Sequence, residues 1–419
     1  MTVRYTREAP ENRSHLDSAF MEAMKIMHQQ YRADVDIASI YAESLMDMHP
    51  WDLWEKDGAA KPWTPEIIKA IEVALTLNPN HPGGHHYYIH ALEASPYPER
   101  ALPSAKKFDD GLVPRAGHLV HMPSHIYINT GDYHLGSIAN INALKQDSTY
   151  VTQCHAQGSY PLALYPHNYH FLAATATLEG KSEWALDAAN KMSKQVNHKG
   201  MLVPELATLQ HYYSIPYFVM VKFGKWEEIL KMPAVDTSLI YPGGIRHYAR
   251  GMAYVGLKDL EKAKIELNEL KAVASMETLK TLTIWEINSL HTVADIAQKV
   301  LEGEILAAEG KSAESISLLK QAVALEDQLN YNEPPDWFFS VRHHLGAVLL
   351  SNNQPDEAIK VYLEDLARFP KNGWALSGLK QAYLNSRQSV KEDETEARFK
   401  EAWAHADVKL KGSKVESEK

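Results

Sequence analysis

The stretch NNQPDEAIKVYLEDLARFP (352–370) decides the fold. A polar turn opens it, the small residue Ala358 follows, and Pro370 closes a segment of helical periodicity. The same outline returns in EGKSAESISLLKQAVAL (309–325), LKDLEKAKIELNEL (257–270) and FGKWEEILKMP (223–233). Gly-Lys, Gly-Asp or Leu-Lys-Asp turns punctuate almost every helical run, and alternating strand patterns are absent. The expectation is an all-α protein.

These segments resemble tetratricopeptide repeats over roughly residues 20–390, the small residue after the turn and the final proline marking each second helix. The resemblance implies helix pairs of about 34 residues stacked into a right-handed superhelix, an α-solenoid. It further implies one repeat domain over residues 1–395, and the charged, weakly hydrophobic end at 396–419 is expected to be disordered over its last ten or so residues. In that family the first helix of each pair lines a concave groove where ligands bind. In its histidine-bearing stretches, HPGGHHYYIHALEAS (81–95), GHLVHMPSHIYINTGDY (117–133) and YPHNYHFLAATATLEGK (165–181), the chain also resembles a bacterial group of tetratricopeptide-like proteins with a histidine-rich groove.

Three first helices carry histidines in one register: HPGGHHYYIHALEAS (81–95), GHLVHMPSHIYINTGDY (117–133) and YPHNYHFLAATATLEGK (165–181). Counted back from the residue that opens the turn (Pro96, Gly131, Gly180), the tenth place holds His86, His121 and His170. The sixth holds His90, His125 and Ala174, and the thirteenth Gly83, His118 and His167. Eleven of the chain's 21 histidines fall between residues 81 and 170, so the unusual chemistry is concentrated in units 81–185. Elsewhere the tenth place holds Ser214, Tyr248 and Val300, and only His343 returns to it.

Residues four apart share a helix face, so these positions form a ladder. Imidazoles from two rungs reach the 2.0–2.1 Å needed by a metal, and packing alone gives no reason to repeat a ring that is costly to bury. His86, His90, His121, His125 and His170 are therefore the candidate ligands, with His118 and His167 beside them. Carried over from the resemblance, they face the groove. Glu93 lies on the face of His86 and His90 and is the natural carboxylate, as general acid/base or as a further ligand. Pro123, between His121 and His125, is expected to kink its helix, whereas Pro166 suits a first turn. His81, His85, His134 and His155 lie outside the register and read as surface or supporting groups. Tyr87, Tyr127, Tyr165 and Tyr169 are candidates to hold ligand imidazoles by hydrogen bonds. The insertion 151–166 beside the ladder reads as a lid or wall.

A nitrogen-rich set suits copper, zinc or iron, as one or two ions, and disfavours magnesium, calcium and manganese. The expected function is a metalloenzyme, an oxygen-activating oxidoreductase or a metal-dependent hydrolase, acting on a small molecule or peptide in the groove. The competing classes are a non-catalytic scaffold for a peptide or protein partner and a metal carrier. Phosphate-loop, dinucleotide, His-Glu-x-x-His and serine-elbow motifs are missing.

Composition supports this reading. The 419 residues are 45% hydrophobic and 23% charged, enough for a large core. The net charge of −10, with both signs interspersed, offers no basic face for nucleic acid or anionic lipid. Cys154 is the single cysteine, which excludes an internal disulfide and a thiolate cluster. No leader-like apolar stretch opens the chain, and a cytoplasmic protein is expected.

Overall fold

The computed structural model describes residues 3–8, 10, 12–158 and 160–415. It is all-α apart from a hairpin of two-residue strands, β1 (Thr283–Ile284) and β2 (Asn288–Ser289). Contacts group the chain into two compact units. Unit 1 comprises residues 3–130 and 138–149, and unit 2 comprises 131–137 and 150–415, within the described residues.

Unit 1 contains α1 (Ser14–Gln30), α2 (Val35–Asp47), α3 (Thr64–Leu77), α4 (Pro82–Leu92), α5 (Leu102–Asp109), α6 (Gly117–His121) and α7 (Pro123–Thr130). The long α8 (Tyr133–Cys154) contributes residues to both units. Two adjoining stripes on α4 explain its role. His85, Ile89 and Leu92 are buried, and Ile89 and Leu92 join Met122, Ile126 and Phe108 in one core cluster. One position along, His86, His90 and Glu93 form a second stripe about 100° around the helix. Burial of the first stripe fixes where the second points.

Unit 2 holds α9 (Tyr165–Leu178), α10 (Ser182–Gln195), α11 (Thr208–Lys222), α12 (Trp226–Lys231), α13 (Ile240–Gly256), α14 (Leu260–Ala274), α15 (Thr278–Thr281), α16 (Leu290–Ala308), α17 (Ser312–Gln328), α18 (Arg342–Ser351), α19 (Pro355–Arg368), α20 (Gly373–Asn385) and α21 (Ser389–Ala402). Helices pack on their successors, as in α9 with α10, α13 with α14, α16 with α17 and α19 with α20. First helices also pack on first helices, α11 on α13, α13 on α16 and α18 on α20. This is the contact pattern of stacked helix pairs.

The turns show why the sequence register is real. Gly131, Gly180, Gly224, Lys258, Gly310 and Asn353, which open the turns, all take positive φ, between 55° and 80°. A left-handed residue ends each first helix and lets the chain reverse. At Gly180 a side chain is excluded twice over, because a Cβ there would also lie 2.4 Å from the Trp403 ring. Pro96 is the exception, since proline cannot adopt that φ, and there the chain turns through a 3₁₀ segment at Pro98–Ala101 instead.

The end of unit 2 returns to its beginning. Trp374 Nε1 on α20 donates to the Thr177 carbonyl on α9 at 2.8 Å. Asp407 accepts from the backbone N–H of Ser182 and Glu183 at 2.8 and 3.2 Å, capping α10 from more than 220 residues away. The Ser413 hydroxyl donates to the His343 carbonyl at 2.6 Å. Residues 403–415 are thus packed, and of the tail expected to be disordered only 416–419 lie outside the described residues. The insertion 151–166 continues α8 to Cys154 and enters α9 through a π-helical turn, Tyr160–Leu164. Among the described residues no helix is long and apolar enough to cross a membrane.

Candidate metal centre

Five of the seven candidate ligands belong to unit 1, and the structure brings them together. Ring centroids run His86 to His90 at 4.9 Å, His90 to His125 at 5.0 Å and His125 to His121 at 4.6 Å. His118 lies 5.1 Å from His86 and 6.0 Å from His121. One ligand nitrogen from each of His86, His90 and His118 lies within 4.8 Å of the others. His121 and His125 are fully buried, whereas His86, His90 and His118 are half-buried. The cluster therefore has an inner pair and a more accessible triad.

Pro123 does more than kink the helix. It separates α6 from α7, so that His121 ends one helix and His125 lies in the first turn of the next. The break does not part the rings, whose Nε2 atoms stand 2.7 Å apart. Nε2 of His86 and of His118 stand 3.1 Å apart. Two nitrogens sharing one tetrahedral ion at 2.0–2.1 Å are about 3.3 Å apart, close to the His86–His118 spacing and wider than the His121–His125 one.

Oxygen acceptors set the tautomers. Glu93 is 2% exposed and places Oε1 2.7 Å from His90 Nδ1 and Oε2 2.7 Å from His125 Nδ1. A carboxylate accepts, so each imidazole carries its proton on Nδ1 and its lone pair on Nε2. The amide oxygen of Asn140 accepts from His121 Nδ1 at 2.7 Å and imposes the same tautomer there. Nε2 of His121 and of His125 consequently face each other between two fully buried rings, at a distance where one shared proton or a cation joins them. Burial, reinforced by neighbouring His90, His118 and His125, holds His86 well below the usual histidine range. It is neutral at pH 7, as a ligand must be.

The remaining candidates lie in unit 2, on α9. His167 stands edge-on to Phe171, with centroids 5.0 Å apart. His170 is 2% exposed, stacks on Phe338 at 5.1 Å with 5° between planes, and meets Tyr212 edge-on. Burial and nearby His211 push it well below the ordinary value. Three of the tyrosines expected to support the imidazoles bond elsewhere. Tyr127 donates to Asp109, and the Tyr165 and Tyr169 hydroxyls meet each other at 3.4 Å. Glu93 and Asn140 hold the imidazoles instead, and nothing in the sequence marks Asn140 for that place. His85, read from its register as a surface or supporting group, is buried, bonded to Ser104 Oγ at 2.8 Å and to the Pro79 carbonyl at 3.0 Å.

The scaffold is tetratricopeptide-like. No family model matches the chain, and no curated protein matches it in sequence. Among solved structures it is similar to the human IFIT1 dimer with m7Gppp-AAAA, at 11% identity over 94% of this chain and 79% of that one, with TM-score 0.37. It is also similar to the P58(IPK) TPR domain (14% identity, 88% and 93% covered, TM-score 0.24) and to yeast Tom70 (12%, 94% and 89%, TM-score 0.33). These superpositions are loose, and the helix-pair architecture rests on the chain's own turns and contacts.

Proposed function

We propose that the histidine cluster of unit 1 binds one or two transition-metal ions, copper, zinc or iron, and that the protein is a metalloenzyme built on a tetratricopeptide-like scaffold. The observation that carries this reading is Glu93, a buried carboxylate that pins Nδ1–H of both His90 and His125 and turns both Nε2 lone pairs away from itself. A carboxylate behind a ligand imidazole fixes its orientation and raises its basicity. Here one carboxylate serves two.

The half-buried triad His86, His90 and His118 supplies three nitrogens, the number that leaves a tetrahedral ion one open position for water or substrate. His86, His90 and His118 would hold such an ion, which would supply Lewis-acid chemistry for a hydrolysis or redox chemistry for an oxidation. In this reading Glu93 positions ligands, and the proton transfers of the reaction fall to groups nearer the open position. A small molecule or peptide is the substrate class such a partly accessible triad admits.

The test is metal retention followed by turnover. Chelator-stripped protein is loaded with copper, zinc or iron, gel-filtered, and its metal content measured by mass spectrometry. One or two equivalents retained is the expected result, and no retention of any of the three ions rejects the site. Oxygen consumption and ester or peptide hydrolysis by the loaded protein then separate an enzyme from a carrier, which holds the ion, passes it to a competing chelator and turns nothing over.

A further inference from the structure

Unit 2 contains a cavity of about 180 Å³, remote in kind from the histidine cluster. Its walls are aromatic: Phe218, Trp226, Tyr248, Trp337 and Phe339 line it. Phe218, Tyr248 and Trp337 pack tilted or edge-to-face around one another, with centroids 5.5 to 6.0 Å apart. A dry cavity of about 150 Å³ with such walls accepts a benzene ring. This one has room for a ring and a small substituent.

The polar end of the cavity shows which substituent. Glu304 is already saturated, since Lys414 Nζ reaches its two oxygens at 2.7 and 2.8 Å and His344 Nδ1 reaches Oε1 at 2.6 Å. It has little to offer a ligand cation. Lys222, 8% exposed, is in the opposite condition. Its Nζ meets His343 Nδ1 at 2.7 Å and the Ser413 carbonyl at 3.5 Å, and lies 4.0 Å from the centroid of the Trp374 ring. Among the described residues no carboxylate lies within ion-pair distance of it. Asp365 is reached only through His343, whose Nε2 stands 3.2 Å from Asp365 Oδ2. A buried ammonium without a direct counter-ion is costly, and burial accordingly depresses the Lys222 amine well below its usual range. Two further donors sit in the walls: the indole N–H groups of Trp226 and Trp337 are buried without an acceptor among the described residues.

We infer that this cavity binds a small aromatic carboxylate, its ring among Phe218, Tyr248 and Trp337 and its carboxylate on Lys222. Ring burial supplies the affinity, and the charge selects the anion over its neutral or cationic analogue.

The test uses the full chain, stripped of metal, with phenylacetate and indole-3-acetate as probes and phenylacetamide and phenethylamine as neutral and cationic counterparts. Tryptophan fluorescence and calorimetry give the affinities. An acid should bind at least about ten-fold more tightly than phenylacetamide, and phenethylamine more weakly still. Lys222→Met, which keeps the volume and removes the charge, should erase the difference between acid and amide while ring binding persists. Trp337→Leu should weaken both by about ten-fold or more. Equal binding of acid and amide by the native protein, a preference that survives in Lys222→Met, or no saturable binding of either acid up to about 10 mM overturns the inference. If Lys222→Met does not fold, the acid-to-amide ratio of the native protein decides alone.

Discussion

The two units use the same side chain in opposite ways. In unit 1 the imidazoles of His90, His121 and His125 give Nδ1–H to an oxygen, and His121 and His125 set Nε2 against each other. In unit 2, His170 lies flat on Phe338, His211 sets Nδ1 against the Tyr241 hydroxyl at 2.9 Å, and His343 stands between Lys222 and Asp365. His121, His170 and His343 occupy the same register position, ten residues before a left-handed turn. Register therefore buries a histidine in its helix pair, and the neighbours from other helices decide whether it joins a cluster of imidazoles, stacks as a core ring or links an ammonium to a carboxylate.

The largest test of this contrast removes the inner pair. His121→Ala combined with His125→Ala should lower metal affinity by about a thousand-fold, roughly 4 kcal/mol, measured by competition with a chelator. The metal-free variant should also melt below the native metal-free protein, since the bonds of the two rings to Asn140 and Glu93 go with them, yet it should still fold. Unfolding of the metal-free variant would show that these rings belong to the core, as in unit 2.

Acid titration is the next largest. Burial holds His211 down at about 3, against an unfolded value near 6.5. The unfolded chain therefore binds more protons between these values, so the stabilisation is complete above pH 6.5 and is lost as pH falls below it. The slope is about 1.4 kcal/mol per pH unit for one such group. Denaturant unfolding of metal-free His211→Phe between pH 6.5 and 4.5 should show a slope shallower by about that amount, and an unchanged slope would mean that this ring titrates normally.

Glu93→Gln comes third. Its amide nitrogen cannot accept from an imidazole N–H, so one of His90 and His125 must change tautomer and lose its Nε2 lone pair. A fall in metal affinity of about ten- to a hundred-fold is expected. Retained affinity with lost turnover would instead make Glu93 the general base. Least of all, Tyr169→Phe should leave metal affinity unchanged within about two-fold, because its hydroxyl meets that of Tyr165 and, among the described residues, no imidazole.

The helix pairs were legible because their determinants are local. A polar turn, a left-handed residue such as Gly180 or Gly310 and a small residue in the second helix all lie within a few positions of one another. The convergence of His86, His90, His121 and His125 was legible for the same reason, since a fixed offset from the turn fixes the face. Asn140 was not, because it meets His121 from α8, and helix packing rather than spacing decides which residue lies opposite. The double engagement of Glu93 was likewise invisible, since its link to His90 is a matter of one helix turn and its link to His125 a matter of tertiary packing. His85 shows the limit from the other side: one position from the ladder, it falls on the core stripe of α4.

The return of Trp374, Trp403 and Asp407 to α9, α10 and the turn between them changes how unit 2 should come apart. An open array of helix pairs behaves as a row of neighbours, free to fray from either end and to unfold in stages. Joining the last member to the first removes both ends, so that no pair is terminal and none can melt without breaking contacts on both sides. Amide exchange across unit 2 should then be governed by one shared opening event rather than by a gradient of protection, and Trp403→Ala should restore the gradient, with α21 and α20 exchanging first.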